Sequence, residues 1–236
     1  MRVLIAINHP KTDLGTVGMA LQEAGAELDI VRCNEGGVLP EDHSAHDALV
    51  IYGGAQNALA DDTHPYLPHL TGLARAFGEA DKAVLGICLG SQIVARAHGG
   101  RNIIGNPLEF GWQPIRATAE GHADPVMSAL NGATHLFEWH NDTFELPPGA
   151  VHLAENDHTR HQAFRIGRAV YACQFHFEAH TGAVADWKAD YEEMISRENP
   201  GWLDTYAEQA STLGTEADRV GLEIARAWVA LIHPAA

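Results

Sequence analysis

The chain has 236 residues, 46% of them hydrophobic, and a formal net charge of −16 from 15 basic and 31 acidic side chains. This length suffices for one domain with a substantial core. The scarcity of lysine and arginine argues against a nucleic-acid-binding protein, because phosphate recognition needs clusters of them. Only three cysteines occur, and neither an apolar leader nor an apolar run of membrane-spanning length is seen. We therefore predict a cytoplasmic protein without disulfides, membrane attachment or a nucleic-acid partner.

Short apolar runs alternate with helical patterns over the first hundred residues. Runs of branched apolar residues predict buried strands, and apolar residues at helical spacing predict the helices between them. The predicted strands are 2–7, 27–31, 47–52 and 82–87, and the predicted helices are about 12–24, 65–80 and 89–98. This alternation implies right-handed crossovers and a doubly wound, mostly parallel α/β sheet, in which ligands collect at the carboxyl ends of the strands.

The second half of the chain predicts an edge hairpin, further strands and a helical end. Glycine and proline break residues 101–119 into hairpin material at the sheet edge, and Asp124 with Pro125 predicts a short helix to residue 130. Further strands are predicted at 136–139, 151–154, 163–166 and 169–175. Residues 181–232 have a helical pattern with a break at 199–201, and their apolar residues fit either coverage of the sheet or burial in a dimer. We take residues 1–236 as one domain, with residues 181–236 as a helical C-terminal extension.

The stretch 83–97 has the pattern of a nucleophile elbow. An apolar run ends in Gly86 and Gly90, which flank Cys88, and a helical pattern begins at once. In such a turn the reactive residue has a strained backbone between strand and helix, and the glycines let neighbouring chain pass without a Cβ clash. We predict that Cys88 is a nucleophile, with its sulfur exposed above the sheet at the positive end of a helix.

Acyl transfer by a cysteine also needs a base, a group that orients the base, and amide donors for the oxyanion. His176 and Glu178 follow the last predicted strand, so the imidazole is a candidate base and the carboxylate is its orienting partner. The backbone N–H groups of Leu89, at the helix start, and Gly54, after the third strand, are candidates for the oxyanion hole. The predicted topology brings all of these residues to one edge of the sheet.

The fifteen histidines show no metal-ligand spacing, such as two on one face of a helix. We therefore predict no metal site, and no cofactor is expected. Cys33 and Cys173 lie in or at the end of strand-like runs and are predicted to be packing residues.

Four segments carry a resemblance to a known family. They are residues 52–55 (YGGA), 86–92 (GICLGSQ), 138–144 (EWHNDTF) and 174–178 (QFHFE). In this order they resemble the signature segments of class I glutamine amidotransferases, above all the stand-alone members that are similar to the amidotransferase domain of GMP synthase. The resemblance covers about residues 49–178, the larger part of the chain.

The resemblance implies a flavodoxin-like sheet and hydrolysis of the glutamine side-chain amide through a γ-glutamyl thioester, with release of ammonia. It implies that Cys88 is the nucleophile, His176 the base and Glu178 the third member of a triad. The groups that it implies for the oxyanion and for the amino-acid end of the substrate are the amides of Gly54 and Leu89, the side chain of Gln92, and the backbone around Trp139, His140 and Asn141.

Some of these positions have a plainer interpretation from the residues alone. Gln92 fits a capping or solvent-facing position equally well, Trp139 fits the core, and His140 with Asp142 fits an ordinary turn. Two positions depart from the family's pattern, which usually has proline at Phe177 and often at Ala55. We expect Ala55 to loosen the oxyanion loop and Phe177 to reshape the mouth of the pocket.

The sequence leaves the fate of the released nitrogen open. No region has an ATP-binding loop, so ammonia transfer requires a separate synthetase subunit, whereas an autonomous enzyme would hydrolyse small γ-glutamyl compounds alone. Two further classes fit the same sheet: a redox or stress protein with a reactive Cys88, and a binding module that has lost turnover. The pair of His176 and Glu178 disfavours the redox protein, and an intact triad disfavours the binding module.

Overall fold

A nine-stranded sheet forms the centre of the computed structural model, which describes residues 1–233. Within these residues the strands are, in chain order, β1 (Arg2–Ile7), β2 (Glu27–Arg32), β3 (Ala48–Ile51), β4 (Ala83–Ile87), β5 (Asn102–Ile103), β6 (Glu109–Ala117), β7 (Ala133–His140), β8 (Thr143–Phe144), β9 (Val151–Glu155), β10 (Ala163–Ile166) and β11 (Val170–Cys173). The order across the large sheet is β2-β1-β3-β4-β11-β10-β9-β6-β7, and β5 pairs separately with β8.

Eight α-helices accompany these strands in the described part of the chain. They are α1 (Gly15–Glu23), α2 (Leu67–Glu79), α3 (Leu89–Ala97), α4 (Ala119–Ala123), α5 (Thr181–Asp190), α6 (Glu192–Glu198), α7 (Trp202–Gln209) and α8 (Thr215–Val229). A π-helical turn at Ala210–Gly214 joins α7 to α8. No helix among residues 1–233 combines the length and the apolar character that crossing a bilayer requires.

Strands β2, β1, β3, β4 and β11 pair in parallel. Every residue of β3 and β4 is buried, which explains why these strands are continuous apolar runs in the sequence. Side chains of β1 alternate between two cores, so that Val3 and Ile5 face α1 and α8, whereas Leu4 and Ala6 face α2 and α3. The predicted doubly wound arrangement is confirmed.

The remaining strands of the sheet pair antiparallel, β11 with β10, β10 with β9, β9 with β6, and β6 with β7. Among the described strands of this sheet only β10 and β6 therefore run against the others, so the sheet is mostly parallel in direction, as predicted. The hairpin predicted within residues 101–119 is wrong, because β5 pairs with β8 and β6 pairs with β7 at the edge of the large sheet. The register of β6 with β7 sets Glu109 opposite His140.

The C-terminal helices pack on the sheet. The predicted break at residues 199–201 separates α6 from α7. The apolar face of α8, including Val220, Ile224 and Trp228, is buried within this chain, and the Trp228 indole donates to the Val84 carbonyl oxygen at 3.3 Å. Of the two predicted uses of this segment, coverage of the sheet is the one observed.

One predicted helix is wrong. Residues 124–130 contain only a 3-10 turn, Met127–Ala129. Asp124 caps it as expected, since its Oδ1 accepts from the N–H groups of Val126 and Met127 at 2.9 and 3.1 Å. The same carboxylate also binds Arg165 and the Tyr171 hydroxyl. These contacts attach the turn to strands β10 and β11, and no longer helix forms.

Because α3 packs closely on β3, we predict that one methyl group added at Gly90 destabilises the fold severely. A Cβ at Gly90 would lie 2.0 Å from the Ile51 carbonyl oxygen, whereas one at Gly72 in α2 would meet nothing within 4 Å. We expect Gly90→Ala to lower the free energy of unfolding by about 3 kcal/mol. The control Gly72→Ala should raise it by about 0.5–1 kcal/mol. Urea unfolding of both variants measures this, and equal stability of Gly90→Ala and the wild type would contradict it.

Candidate active site

Cys88 occupies the predicted turn between β4 and α3. Its backbone has φ +53° and ψ −111°, a region that side-chain-bearing residues rarely adopt. Its N–H donates to the Cys173 carbonyl oxygen at 2.8 Å, and a Cβ on Gly86 would lie 2.3 Å from the Gly90 carbonyl oxygen. The elbow geometry is confirmed. The expected exposure of the sulfur is not observed, because Cys88 is only 6% exposed, although it lines a cavity.

His176 and Glu178 lie beside the elbow, beyond the end of β11. The imidazole Nδ1 and Glu178 Oε1 are 2.7 Å apart, and both residues are buried. Burial lowers the pKa of His176, but the neighbouring charges of Glu178 and Cys88 raise it, and the resulting pKa is well above the usual value. Gly53 lies against the side chains of His176 and Cys88, since a Cβ there would be 3.2 Å from His176 Cε1 and 3.4 Å from Cys88 Cβ.

The backbone of Glu178 is held by the start of α1. The Thr16 N–H donates to the Glu178 carbonyl oxygen at 3.0 Å. Gly15, with φ +54°, approaches so closely that a Cβ would lie 1.9 Å from that oxygen. Phe177 points the other way and is 1% exposed in the core, with its ring 6.2 Å from that of Phe175. The expectation that Phe177 reshapes the mouth of the pocket is therefore wrong.

The loop after β3 brings Gly54 next to Leu89. A Cβ on Gly54 would lie 2.8 Å from Leu89 Cδ2. Leu89 is the first residue of α3, where N–H groups have no partner within the helix. A chain of hydrogen bonds supports the loop: Gln56 donates to the Tyr66 hydroxyl at 2.6 Å, and that hydroxyl donates to Asn8 at 3.0 Å. Asn8 in turn donates to the Tyr52 carbonyl oxygen, at the foot of the loop.

The nine residues predicted for the site all line one cavity of about 360 Å³. They are Gly54, Cys88, Leu89, Gln92, Trp139, His140, Asn141, His176 and Glu178. Gln92 is 3% exposed and donates to the Asp142 carbonyl oxygen at 3.0 Å, which excludes a solvent-facing position. Backbone from the segment 139–142 borders the cysteine, since the Cys88 sulfur donates to the Trp139 carbonyl oxygen at 3.7 Å.

A buried network of charged side chains lies behind residues 139–142, and it was not predicted from the sequence. His140 Nε2 lies 3.1 Å from Glu109 Oε2 and 3.3 Å from Glu138 Oε2, and all three side chains are at most 2% exposed. Its Nδ1 donates to the Asp142 carbonyl oxygen at 3.0 Å, beside Gln92. Burial lowers the pKa of His140, but Glu109 and Glu138 raise it to about 10. His140 is therefore a cation that fixes the backbone bordering Cys88.

Among residues 1–233, the ligand atoms of the same three side chains lie near enough to one another to hold a metal ion, within 4.8 Å. Glu109 already accepts hydrogen bonds from further buried donors, namely Asn156, Thr159 and Gln162. His140 hydrogen bonds also hold the pKa of Glu109 below its usual value, against the effect of burial. The His140 ring thus forms an ion pair with both carboxylates, although among the described residues the Glu138 oxygens have no hydrogen-bond partner. Because Glu109 already has its donors, the arrangement fits an ion-pair network better than a metal centre.

The C-terminal helices supply the outer wall of the cavity, which the sequence analysis also missed. Trp187 in α5, Tyr191 after it, and Met194 and Glu198 in α6 line this wall. The Trp187 ring lies edge-on to the His176 imidazole, with ring centroids 5.2 Å apart. The aromatic residues were visible in the sequence, but the helical pattern did not say which face meets the cavity.

Comparison with protein families agrees with this geometry. Residues 16–186 match the model of the glutamine amidotransferase class-I family, well over half of the chain. The chain belongs to the class I glutamine amidotransferase family. Enzymes of this family are in general hydrolases that depend on a cysteine, in keeping with a cysteine that lines the cavity.

Three relatives illustrate the range of this amidotransferase family. The glutamine amidotransferase-like protein YfeJ of Salmonella typhimurium is 30% identical over 78% of this chain and 78% of its own length. One subunit of the glutamine-hydrolyzing GMP synthase of Natronomonas pharaonis is 30% identical over 83% and 98%. Gamma-glutamyl peptidase 3 of Arabidopsis thaliana is 27% identical over 66% and 64%. They include both a peptidase and part of a synthase.

The fold recurs in a solved structure. The glutamine amido transferase from Methylobacillus flagellatus superposes with a TM-score of 0.88 at 24% identity, over 100% of this chain and 96% of that one. The flavodoxin-like α/β sheet of the amidotransferases is thus shared.

The raised pKa of His140 predicts a pH-dependent stability. An unfolded histidine has a pKa of about 6.5, below the value of about 10 in the fold. The protonated ring therefore stabilises the protein fully below pH 6.5, and this contribution is lost as the pH rises towards 10. We expect the difference in free energy of unfolding between wild type and His140→Gln to shrink over that range. Denaturant unfolding at several pH values measures it.

A matched control is available at His122, an exposed position. His122→Gln should differ little from the wild type at every pH. A deficit of His140→Gln that stays constant or grows from pH 6.5 to 10 would contradict the stabilising role of the charged ring.

Proposed function

We propose that this amidotransferase hydrolyses the side-chain amide of glutamine through a γ-glutamyl thioester on Cys88. The observation that carries the proposal is the 2.7 Å contact between His176 and Glu178, at a buried edge next to the strained elbow cysteine. His176 is the base, and Glu178 accepts its Nδ1–H and so fixes the ring tautomer. A cysteine with a base and an oriented carboxylate suits acyl transfer better than redox sensing or passive binding.

The reaction has two halves. The Cys88 sulfur attacks the amide carbon and His176 takes the thiol proton; the C–N bond then breaks as His176 gives this proton to the nitrogen, which leaves as ammonia. Water next attacks the thioester with His176 as base, glutamate leaves, and the thiol is restored. The raised pKa of His176 suits a ring that holds the proton between these transfers.

Backbone and side-chain groups around Cys88 complete the site. The N–H groups of Gly54 and Leu89 stabilise the oxyanion of each tetrahedral intermediate. For the amino-acid end of glutamine, the proposed contacts are Gln92 and the backbone around Trp139, His140 and Asn141. We further propose that residues 1–236 act as one domain, in which the C-terminal extension from residue 181 walls the substrate cavity.

In the first of two candidate functions, the released ammonia passes to a separate synthetase subunit. This candidate is supported by the likeness to the GMP synthase subunit of Natronomonas pharaonis. It also fits the predicted cytoplasmic location. On the isolated chain, glutamine hydrolysis should then be slow and should rise when the cognate synthetase is added.

Autonomous hydrolysis of γ-glutamyl compounds is the second candidate. The likeness to gamma-glutamyl peptidase 3 supports it, as does a cavity that continues past the triad along α5 and α6. An autonomous enzyme should cleave small γ-glutamyl amides at full rate without any partner, and addition of a synthetase should leave that rate unchanged.

Cys88 is expected to be the residue that a glutamine-analogue electrophile labels. One equivalent of 6-diazo-5-oxo-L-norleucine should be incorporated, and peptide mapping should find it on Cys88. Cys88→Ala should abolish labelling and reduce ammonia release from glutamine on the order of 10³-fold or more.

Cys33→Ala is the matched control, because Cys33 is also a buried, free cysteine but does not line the cavity. It should be labelled and active like the wild type. Equal ammonia release by wild type and Cys88→Ala would rule out the proposed chemistry.

A further inference from the structure

The structure contains space for more than glutamine on one side of the triad. Under the proposed chemistry, His176 protonates the departing nitrogen, so any group attached to that nitrogen must lie next to the imidazole. The imidazole contacts the side chain of Trp187, whose ring lies edge-on to it with ring centroids 5.2 Å apart. The cavity wall that follows Trp187 therefore faces the leaving group.

This wall is a continuous aromatic surface. The Trp139 ring lies 5.9 Å from that of Trp187 and 5.5 Å from that of Tyr191, both in edge-to-face geometry. Met194 and Leu108 line the cavity as well, and Leu108 is 55% exposed. Aromatic rings and a flexible thioether bind apolar and aromatic groups by area and by edge contacts. Ammonia has no surface that such a wall would contact.

Charges at the rim favour a neutral leaving group. Lys11 lies 5.6 Å above the Tyr191 ring, but its ammonium is paired with Asp190 at 2.6 Å. The carboxylates of Asp13 and Glu198 also line the cavity. A carboxylate on the leaving amine would meet these negative charges, and the described residues that line the cavity offer no cation besides the paired Lys11 and the buried histidines His140 and His176.

Most of the aromatic wall follows the residues that match the family model, and Trp139 lies within them. The family match ends at residue 186, and Trp187, Tyr191 and Met194 follow it. Tyr191 is also held in place, since its hydroxyl and His9 Nε2 are 3.2 Å apart. A fixed ring is a better binding surface than one that must be ordered by the ligand.

We propose that Trp139, Trp187 and Tyr191 form a leaving-group subsite, and that the enzyme hydrolyses γ-glutamyl amides of neutral aromatic or apolar amines. The inference rests on the proposed thioester chemistry. The C–N bond breaks as the Cys88 sulfur bonds to the carbonyl carbon, the amine leaves with the proton from His176, and water then releases glutamate. The proposed leaving-group subsite favours the autonomous hydrolase over the synthetase-dependent enzyme.

The test compares three substrates that share one product. Glutamate release is measured for glutamine, γ-glutamylbenzylamide and γ-glutamylglycine with the isolated full chain. We expect kcat/KM for the benzylamide to exceed that for each of the others by about tenfold or more. Tyr191→Ala should lower the ratio of benzylamide to glutamine by about tenfold, and Tyr191→Phe, which keeps the ring, should restore it.

Tyr206→Ala controls for loss of a half-buried tyrosine from the same C-terminal segment, because Tyr206 packs on Trp202 away from the cavity. It should keep the wild-type ratio. Equal rates for the benzylamide and glutamine, or a ratio that Tyr191→Ala leaves unchanged, would overturn the inference.

Labelling of Cys88 by 6-diazo-5-oxo-L-norleucine distinguishes a failure of the leaving-group subsite from a failure of the proposed thioester chemistry. If Cys88 is labelled and glutamine is hydrolysed while the benzylamide is not, only the leaving-group subsite is wrong. If Cys88 is not labelled and no substrate is cleaved, the thioester chemistry itself fails.

Discussion

The reactive centre depends on the strained backbone of Cys88. A residue with a side chain at φ +53° costs free energy, and the surrounding structure has to impose it. Here β4 on one side and α3 on the other impose it, and the hydrogen bond from the Cys88 N–H to Cys173 ties the turn to the neighbouring strand β11. Because β4 and β11 are parallel and in register, His176, the proposed base, follows β11 beside Cys88, the proposed nucleophile.

Local signals explain why much of this arrangement could be predicted. The buried strands of the parallel half are apolar along their whole length, and the elbow has glycines where any Cβ would strike backbone atoms. His176 and Glu178 are two residues apart, so an extended chain places them on the same side with Phe177 on the other. The pocket role expected for Phe177 failed for the same reason, since that alternation sends its ring into the core.

Non-local pairings explain what the sequence analysis missed. Glu109 meets His140 only through the register of β6 with β7, and no short-range pattern encodes that register. The wall formed by Trp187 and Tyr191 depends on how α5 and α6 pack on the sheet. The helix expected at residues 124–130 had a correct capping residue, but the Asp124 carboxylate is shared with Arg165 and Tyr171 from distant strands.

The network around His140 shows how a buried charge can specify a backbone path. Two buried carboxylates and one imidazolium are costly unless they are paired, and polar donors from residues 156–162 add hydrogen bonds to Glu109. Among the described residues Glu138 is paired with His140 alone, and burial raises the pKa of Glu138. A displaced segment 139–142 would leave one of these charges unpaired. The carbonyl oxygen next to the Cys88 sulfur is thereby kept in one position.

Trp187 and Tyr191 of the aromatic wall follow the residues that match the family model and contribute none of the proposed reacting groups. The groups proposed for the chemistry and two of the three rings proposed to contact the leaving group thus lie in separate stretches of the chain. With the proposed subsite, mutations in the last fifty residues change which amine fits and leave Cys88 and His176 intact. Among descendants of one ancestral enzyme, such a division allows natural selection to diversify substrate range without first passing through inactive forms.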